Sequence, residues 1–297
     1  MIFIRKKFDM INENIRKLAQ QAQLAMLYEV TCLNKPGLVD PVDSGSHHDM
    51  DIFTFIESSI SLGPYFESFV QTGLELKEFP IIETFTLIRK IGLEAETAMF
   101  FATKGINTHK GAIFSLAIFL AVCGRLMIWQ FPCEFHTLQR EIKNMTKDLL
   151  TDFEMINGSM LEELTWGEQL YVNYGLTGIR GEAQKGYPTI FDKGLPYYQN
   201  YQGTLQEQLL DTLLYISLQA DDTTLMKRSN DINISEKYQP LICKYFTLGG
   251  TKTLAGKNFL KKLNSLFKEK NWSIGGSADL LIVTIFLAKV SNIGWLK

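Results

Sequence analysis

The sequence predicts an all-α protein folded as a single compact domain over residues 1–297, with long ordered loops that form its functional site. Apolar side chains recur at helical spacing through most of the chain, whereas the alternating pattern of a β-strand is sustained nowhere. The hydrophobic fraction of 46% and the 20 phenylalanines are enough for a large aromatic core. A formal net charge of −2 argues against binding to nucleic acid through a basic surface.

The predicted helices follow one another with few interruptions. Residues 11–31 carry apolar side chains three and four positions apart, which is the spacing of one helix face. Residues 33–46 contain two prolines and two glycines, so we expect an ordered loop there. Helical patterning then continues in eight segments, at about 49–69, 81–102, 109–129, 134–156, 204–219, 236–247, 255–269 and 278–291.

Residues 157–202 differ from the other segments in composition, because glycines, two prolines and several tyrosines interrupt every helical pattern. The aromatic content of this stretch favours order over disorder. We therefore predict a long irregular stretch that holds one short helix, and in compact domains such stretches are usually functional.

The segment 111–129 is apolar over nineteen residues, which is close to the length of a membrane span. Arg125 lies within it and the sequence has no second segment of this kind, so we predict a buried central helix and no membrane contact. The four cysteines show no C-x-x-C spacing, and the N-terminal residues lack the pattern of a secretory signal. These features predict reduced thiols and a cytoplasmic location.

The first group of chemically suggestive residues lies in and after the loop 33–46. Two histidines and four aspartates fall within twelve residues, and such a cluster can ligate a hard divalent cation. The alternative is a solvated loop whose acids cap the next helix. The candidate residues are Asp40, Asp43, His47, His48, Asp49 and Asp51.

Two helix starts carry the features of anion-binding sites, in which free backbone N–H groups and the helix dipole attract phosphate. At the first, Asn107 or Thr108 is expected to cap the helix that begins near His109, and Lys110 adds a positive charge. The second is opened by Gly275-Gly276-Ser277. Each pattern also fits an ordinary capped helix without a ligand.

Two further groups combine cations with carboxylates. Arg180 and Glu182 lie in a glycine-rich segment, where they suit phosphate binding and acid–base chemistry or, equally well, a structural ion pair. Asp221 and Asp222 precede Arg228 by a few residues. Together, the clusters predict a helical protein that binds a phosphate-rich substrate with a divalent cation.

Taken in order, these residues belong to a set of motifs. The strings are EV-x4-KPGLVD, H-x-DMD, T-x-G-x-NTHKG, GLTGIRGEA with a following GYP, DDT and GGSADLL, and they span residues 29–281. This set resembles the triphosphoribosyl-dephospho-coenzyme A synthase family. The resemblance implies an all-α, cytoplasmic bacterial enzyme that joins ATP to 3′-dephospho-CoA and releases adenine.

The same resemblance implies a cofactor, partners and a pathway. The substrates are ATP and 3′-dephospho-CoA, Mg²⁺ is the expected cofactor, and neither nucleic acid nor a membrane takes part. The product is the precursor of the prosthetic group on the acyl-carrier subunit of citrate lyase or malonate decarboxylase. It is then passed to a holo-acyl-carrier transferase.

The family motifs also suggest roles for individual residues, although they do not decide which carboxylate is the base and which binds metal. The residues assigned to catalysis are Asp49, Glu182, Asp222 and His109. The residues assigned to the phosphates of ATP are Lys35, Asn107, Thr108, Lys110, Arg180, Arg228, Gly275, Gly276 and Ser277. The residues assigned to the metal are Asp40, His47, Asp49, Asp221 and Asp222.

The chain departs from the family pattern at residues 226–230, where Met-Lys-Arg-Ser-Asn replaces a usual run that contains His-Arg-Gly-Gly. Two alternatives therefore stay open: another nucleotide-using transferase or nucleosidase on the same scaffold, or a nucleotide-binding protein that has lost its activity. Release of adenine without coupling to dephospho-CoA would favour the first, and nucleotide binding without turnover would favour the second.

Overall fold

The computed structural model describes residues 2–127, 133–151 and 164–296. Within these ranges the chain forms thirteen α-helices and no β-sheet, which confirms the predicted all-α class. A π-helix at Thr189–Gly194 and a 3₁₀-helix at Gly250–Lys252 lie between them. The α-helices are α1 (Ile2–Thr31), α2 (Ile52–Glu75), α3 (Ile81–Ala102), α4 (Lys110–Leu126), α5 (Phe135–Thr146), α6 (Trp166–Tyr174), α7 (Gly178–Gln184), α8 (Leu195–Asn200), α9 (Leu205–Ser217), α10 (Thr223–Ser229), α11 (Ile234–Thr247), α12 (Leu254–Glu269) and α13 (Gly275–Asn292).

Helix α4 packs against α2, α3 and α13, and nearly all its side chains are buried. The contact between α2 and α4 is close because each helix places a glycine there. A Cβ on Gly73 would lie 1.9 Å from the carbonyl oxygen of Ala121, and a Cβ on Gly124 would lie 2.1 Å from that of Val70. The two backbones can approach this closely only because these side chains are missing.

Arg125 lies near the C-terminal end of α4, where its guanidinium group contacts the chain just after α2. It donates hydrogen bonds to the carbonyl oxygens of Leu76, Lys77 and Phe79 and to the hydroxyl oxygen of Thr84. These bonds satisfy carbonyl groups beyond the helix end and explain how a cation is accommodated beside the core. No helix in the described ranges is long and apolar enough to cross a membrane.

Most predicted helices are present, with ends that differ by a few residues. Helix α2 begins at Ile52, later than the sequence suggested, because Asp51 and Thr54 form a capping box that starts the helix there. Helix α5 ends at Thr146, short of the predicted end of that segment, and residues 152–156 lie outside the described ranges. Residues 128 and 129 of the apolar segment also lie outside them.

The expectation of one short helix within residues 157–202 is wrong for the part that the structure describes, which begins at residue 164. Helices α6, α7 and α8 and the π-helix follow one another there. Two of the glycines that obscured this pattern lie at helix ends, where Gly175 closes α6 and Gly186 follows α7, both with positive φ. Helix α10 was also not predicted; Asp222 caps its first turn and Asn230 ends it in the left-handed conformation.

Candidate active site

A cavity of about 940 Å³ opens where the N-terminal ends of α4 and α13 meet the loop after α1 and helix α7. This volume lies at the upper end of the range for small-molecule sites, about 300–1,000 Å³. Its walls combine apolar side chains with two histidines, His47 and His109, and with charged groups of both signs. The cationic residues are Lys35, Arg89, Lys110, Arg180, Lys185, Lys193 and Lys227, and the acidic residues are Glu29, Glu96, Glu182, Asp192, Asp221 and Asp279.

The cavity brings together most of the predicted site residues, but not all of them. Those that line it are Lys35, His47, Asn107, Thr108, His109, Lys110, Arg180, Glu182, Asp221, Gly275 and Gly276. Those that lie outside its lining are Asp40, Asp49, Asp222, Arg228 and Ser277. Segments far apart in the sequence therefore converge on one space, as a substrate-binding site requires.

Lys35 and Glu29 form a buried ion pair in the cavity wall. Their exposed fractions are 1% and 2%. The Lys35 Nζ donates to Glu29 Oε1 at 2.5 Å and to the Glu29 carbonyl oxygen at 2.7 Å. Two of the three ammonium protons are used within the protein, so Lys35 has at most one left for a ligand.

His109 lies at the start of α4 with only 1% of its surface exposed. Its Nδ1 is 2.8 Å from Ser58 Oγ, and Thr108 Oγ1 donates to the same serine oxygen at 2.7 Å. The ring meets Phe55 edge-on at 4.9 Å, and its Nε2 is buried without a partner among the described residues. Burial and the charge of Lys35 lower the pKa of His109 to about 3, so its imidazole is neutral at physiological pH.

Lys110 and Asn107 lie at the same helix start. The Lys110 Nζ is 2.9 Å from Glu96 Oε2 of α3, and more than half of the lysine side chain is exposed. Asn107 Oδ1 accepts the Lys110 N–H at 3.2 Å and so satisfies one of the free donors of α4, although His109 occupies the N-cap position. Exposed ion pairs contribute little stability, so Lys110 can exchange Glu96 for a phosphate at small cost.

Asp222 joins the starts of α10 and α13. Its Oδ1 accepts the N–H groups of Leu225 and Gly276 at 3.0 and 3.2 Å, and its Oδ2 accepts the N–H and the hydroxyl of Ser277, both at 2.8 Å. Amides that the sequence assigned to phosphate thus donate to a carboxylate of the chain itself. Burial raises the pKa of Asp222, and the four hydrogen bonds, which favour the carboxylate, oppose that shift.

Asp40 organises the loop between α1 and α2. Its carboxylate accepts the backbone N–H groups of Asn34, Val42 and Asp43 at 2.6, 2.8 and 2.9 Å. Asp49 is exposed and lies off the cavity lining. Among residues 2–127, 133–151 and 164–296, no three His, Cys, Asp or Glu side chains lie close enough together to hold a metal ion.

The side chains of His47 and Arg228 lie close together at the edge of the cavity. Arg228 donates to the Ser46 carbonyl oxygen and to two oxygens of Asn271, and its NH1 approaches His47 Nδ1 at 3.5 Å. The His47 Nε2 is 3.1 Å from Ser273 Oγ. Burial and the Arg228 charge lower the pKa of His47 to about 4. The bonds of Arg228 therefore fix the loop that carries His47.

Arg180 and Glu182 line the cavity from helix α7. Glu182 Oε1 accepts the backbone N–H of Thr189 at 2.8 Å, which fixes the carboxyl group in the wall. Burial raises the pKa of Glu182. A carboxyl group whose pKa moves towards neutrality is a better acceptor of a hydroxyl proton, so Glu182 suits general base chemistry.

Three of the residues that received no role from the sequence make contacts that shape the site. Glu29 pairs with Lys35, Ser58 contacts His109, and Asp279 lines the cavity from the first turns of α13. Glu29 and Asp279 both lie inside motif strings, which was the signal that could have drawn attention to them. Nothing in the sequence around Ser58 marks it, because its contact depends on how α2 packs against the start of α4.

Asp279 faces the N-terminal turn of α4. A Cβ on Gly111 would lie 2.1 Å from Asp279 Oδ2, so this close approach depends on glycine. The backbone N–H of Ala112 hydrogen-bonds to the Asp279 carboxyl group. Burial and the charges of Asp222 and Glu29 nevertheless raise the pKa of Asp279 well above its usual value. The cavity therefore contains a second carboxyl group that is disposed to hold a proton.

The fold and the site together define a helical enzyme for a phosphate-rich substrate. Several lysines and arginines face one cavity, beside carboxyl groups with raised pKa values and neutral imidazoles. The family follows from comparison with known proteins. Residues 15–297 match the CitG family model, described as ATP:dephospho-CoA triphosphoribosyl transferase, and the chain belongs to this family. The resemblance inferred from the motifs is thereby confirmed.

The chain is similar to curated proteins along most of its length. It is 42% identical over 277 residues to a probable 2-(5''-triphosphoribosyl)-3'-dephosphocoenzyme-A synthase of Lactiplantibacillus plantarum, which spans 93% of this chain and 98% of that one. It is 37% identical over 289 residues to a protein of the same name from Streptococcus equi subsp. equi, with 93% and 97% covered. It is 40% identical over 276 residues to the protein CitXG of Leuconostoc mesenteroides subsp. cremoris, with 92% and 59% covered. No solved structure matches the chain.

Proposed function

We propose that the cavity is the active site at which the triphosphoribosyl group of ATP is transferred to 3′-dephospho-CoA with release of adenine. The observation that carries this proposal is the gathering of seven cationic side chains around one space of about 940 Å³, in a chain of the triphosphoribosyl transferase family. This volume and charge suit two substrates that bring several phosphate groups. Because the triphosphate stays on the product, it serves as a handle for binding and not as the reacting group.

The transfer breaks the bond from the anomeric carbon of the ATP ribose to adenine. It forms a bond from that carbon to a ribose hydroxyl group of dephospho-CoA. The hydroxyl loses a proton and the departing adenine gains one, so protons balance. The transition state resembles an oxocarbenium ion, as in glycoside hydrolysis. Glu182 is suited to accept the hydroxyl proton, since its carboxyl lines the cavity and burial raises its pKa.

Lys110 and Arg180 are the residues we assign to the triphosphate. Both line the cavity, and Lys110 adds its charge to the N-terminal end of α4. Lys35 acts differently, because its ammonium group is largely occupied by Glu29 and contributes a fixed positive charge to the wall. Arg228 contributes through the loop that carries His47.

Three of the five residues predicted to ligate Mg²⁺ are not available for a dedicated metal site. Asp40 and Asp222 already accept three and four hydrogen bonds from the chain, and Asp49 lies off the cavity. Mg²⁺ is commonly bound through substrate phosphates with only one or two carboxylates. We therefore propose that a divalent cation enters the site on the triphosphate of ATP.

The remaining expectations concern the biological setting. We propose that the product is the prosthetic-group precursor for the acyl-carrier subunit of citrate lyase or malonate decarboxylase. It is then passed to a holo-acyl-carrier transferase. Both substrates are intracellular metabolites, which supports a cytoplasmic location for the enzyme.

The test is to incubate the purified protein with Mg²⁺ and ATP, with and without 3′-dephospho-CoA, and to measure adenine by chromatography. The proposal expects adenine only when dephospho-CoA is present. Equal adenine release in its absence identifies a nucleosidase, and ATP binding without any adenine identifies an inactive homologue. Glu182→Gln should lower the rate, whereas Glu13→Gln, in an exposed pair on α1, should leave it unchanged.

A further inference from the structure

We propose that Ser58 positions His109 so that the Nε2–H of its neutral imidazole binds the adenine ring of ATP and supports its departure. This inference rests on the proposed function, because it assigns one group of the cavity to one part of that substrate. Ser58 is a positioning residue here, since its hydroxyl contacts His109 and Thr108. His109 is the residue that touches the substrate.

The hydrogen bonds determine which ring nitrogen carries the proton. Thr108 Oγ1 donates to Ser58 Oγ at 2.7 Å, so the single proton of Ser58 is directed elsewhere. The other neighbour of that oxygen is His109 Nδ1, at 2.8 Å. Nδ1 is therefore the acceptor, and a neutral imidazole with an acceptor at Nδ1 carries its hydrogen on Nε2.

The surroundings of the ring keep it neutral and fixed. Ser58 and His109 are both buried, and Phe55 meets the imidazole edge-on. Lys35, with its partner Glu29, is the charged group that lies towards the ring, and its positive charge opposes protonation. His109 is therefore not suited to give up a proton as a general acid. As a neutral imidazole it can donate a hydrogen bond over the whole physiological pH range.

The unpartnered Nε2 points to a ligand acceptor. A buried N–H without a partner is destabilising, and native proteins rarely leave one unless a ligand or water completes it. The lysines and arginines that line this cavity are the groups assigned to the phosphates. Adenine offers uncharged ring nitrogens as acceptors, and it gains negative charge as its bond to ribose breaks. A fixed N–H donor therefore binds the departing base more strongly than the bound substrate, which lowers the barrier.

The tautomer can be read directly by ¹⁵N NMR of histidine-labelled protein, because the chain has only four histidines and His109→Gln assigns the signal. The wild-type ring should be neutral with its proton on Nε2 from pH 5 to 8. Adding ATP or adenosine should shift the Nε2 signal, whereas inorganic tripolyphosphate should not. A charged ring, a proton on Nδ1, or a shift with tripolyphosphate but not with adenosine would overturn the inference.

Kinetics of adenine release separate this inference from the proposed function. Ser58→Ala should lower kcat roughly tenfold while the KM for ATP changes little, because the lost positioning matters most in the transition state. Ser58→Thr should restore part of the rate. Ser59→Ala is the matched control, since Ser59 is a neighbouring buried serine whose hydroxyl bonds to α1. An unchanged kcat in Ser58→Ala refutes the inference alone, whereas absence of adenine release by the wild type refutes the proposed function.

Discussion

The buried ion pair of Lys35 and Glu29 predicts a large loss of stability when one partner is removed. Lys35→Met keeps much of the side-chain volume but leaves the Glu29 carboxylate, which is 2% exposed, without its partner at 2.5 Å. Removing one member of a buried pair typically costs about 3–5 kcal/mol, because the remaining charge is desolvated and uncompensated. In a domain of this size such a loss lowers Tm by roughly 10 °C.

Urea unfolding measured by circular dichroism gives this free energy directly. The double variant Lys35→Met with Glu29→Gln should recover much of the loss, because it buries no charge. Lys110→Met is the comparison, since its pair with Glu96 is exposed and should contribute no more than about 1 kcal/mol. If Lys35→Met loses less than about 1 kcal/mol, Glu29 is not a buried charge that depends on Lys35.

Three further variants test other parts of the site. Lys110→Ala should weaken ATP binding, measured by calorimetry, by roughly 10- to 150-fold, because one charge-assisted contact is lost. Its thermal melt should stay normal. Lys257→Ala is the control, since Lys257 lies in a comparably exposed ion pair, and this variant should bind ATP normally. Asp222→Ala should destabilise the fold by about 3 kcal/mol or more in urea, because buried donors of α10 and α13 lose their acceptor; a normal melt would contradict this. The raised pKa of Asp279 means that its contribution to stability is present below the unfolded pKa and is lost as pH rises through the folded pKa. As the pH rises from 4 to 8, the Asp279→Asn variant should therefore become more stable relative to the wild type. A difference in the free energy of unfolding that stays constant with pH would show that the pKa of Asp279 is not raised.

Helical periodicity was sufficient to predict the class of fold and most of the long helices. It identified α3 with its observed ends, and the buried segment that becomes α4. It failed between residues 164 and 200 because short helices closed by glycine have too few turns to show a period. Glycine at a helix end and glycine in an irregular loop look the same in a sequence, although their backbone conformations serve different purposes.

The motifs identified most residues of the candidate site, but residue type alone did not fix what each side chain contacts. The start of α13 has the features of a phosphate site, yet the Asp222 carboxylate occupies the amides of Gly276 and Ser277. Lys35 lies in the loop after α1, where an exposed side chain would be ordinary, and only the folded chain buries it against Glu29. Both facts depend on contacts between separate segments, which a single sequence does not display.

Ser58 is a residue whose role cannot be predicted from the sequence at all. It lies on a face of α2 that the sequence pattern assigns to helix packing, 51 residues before His109. Its importance arises because α2 packs against the start of α4 at that point and because Thr108 donates a hydrogen bond to its oxygen. Hydrogen-bond direction, rather than residue type, assigns its role.

The central claim is that ATP is used here as a donor of its triphosphoribosyl group. Mass spectrometry of the products formed from ATP, Mg²⁺ and 3′-dephospho-CoA tests this claim most directly. We expect one adduct that keeps all the phosphate groups of both substrates, together with one free adenine per adduct. Formation of ADP, AMP or pyrophosphate without adenine would place the reaction at phosphorus and refute transfer of the triphosphoribosyl group.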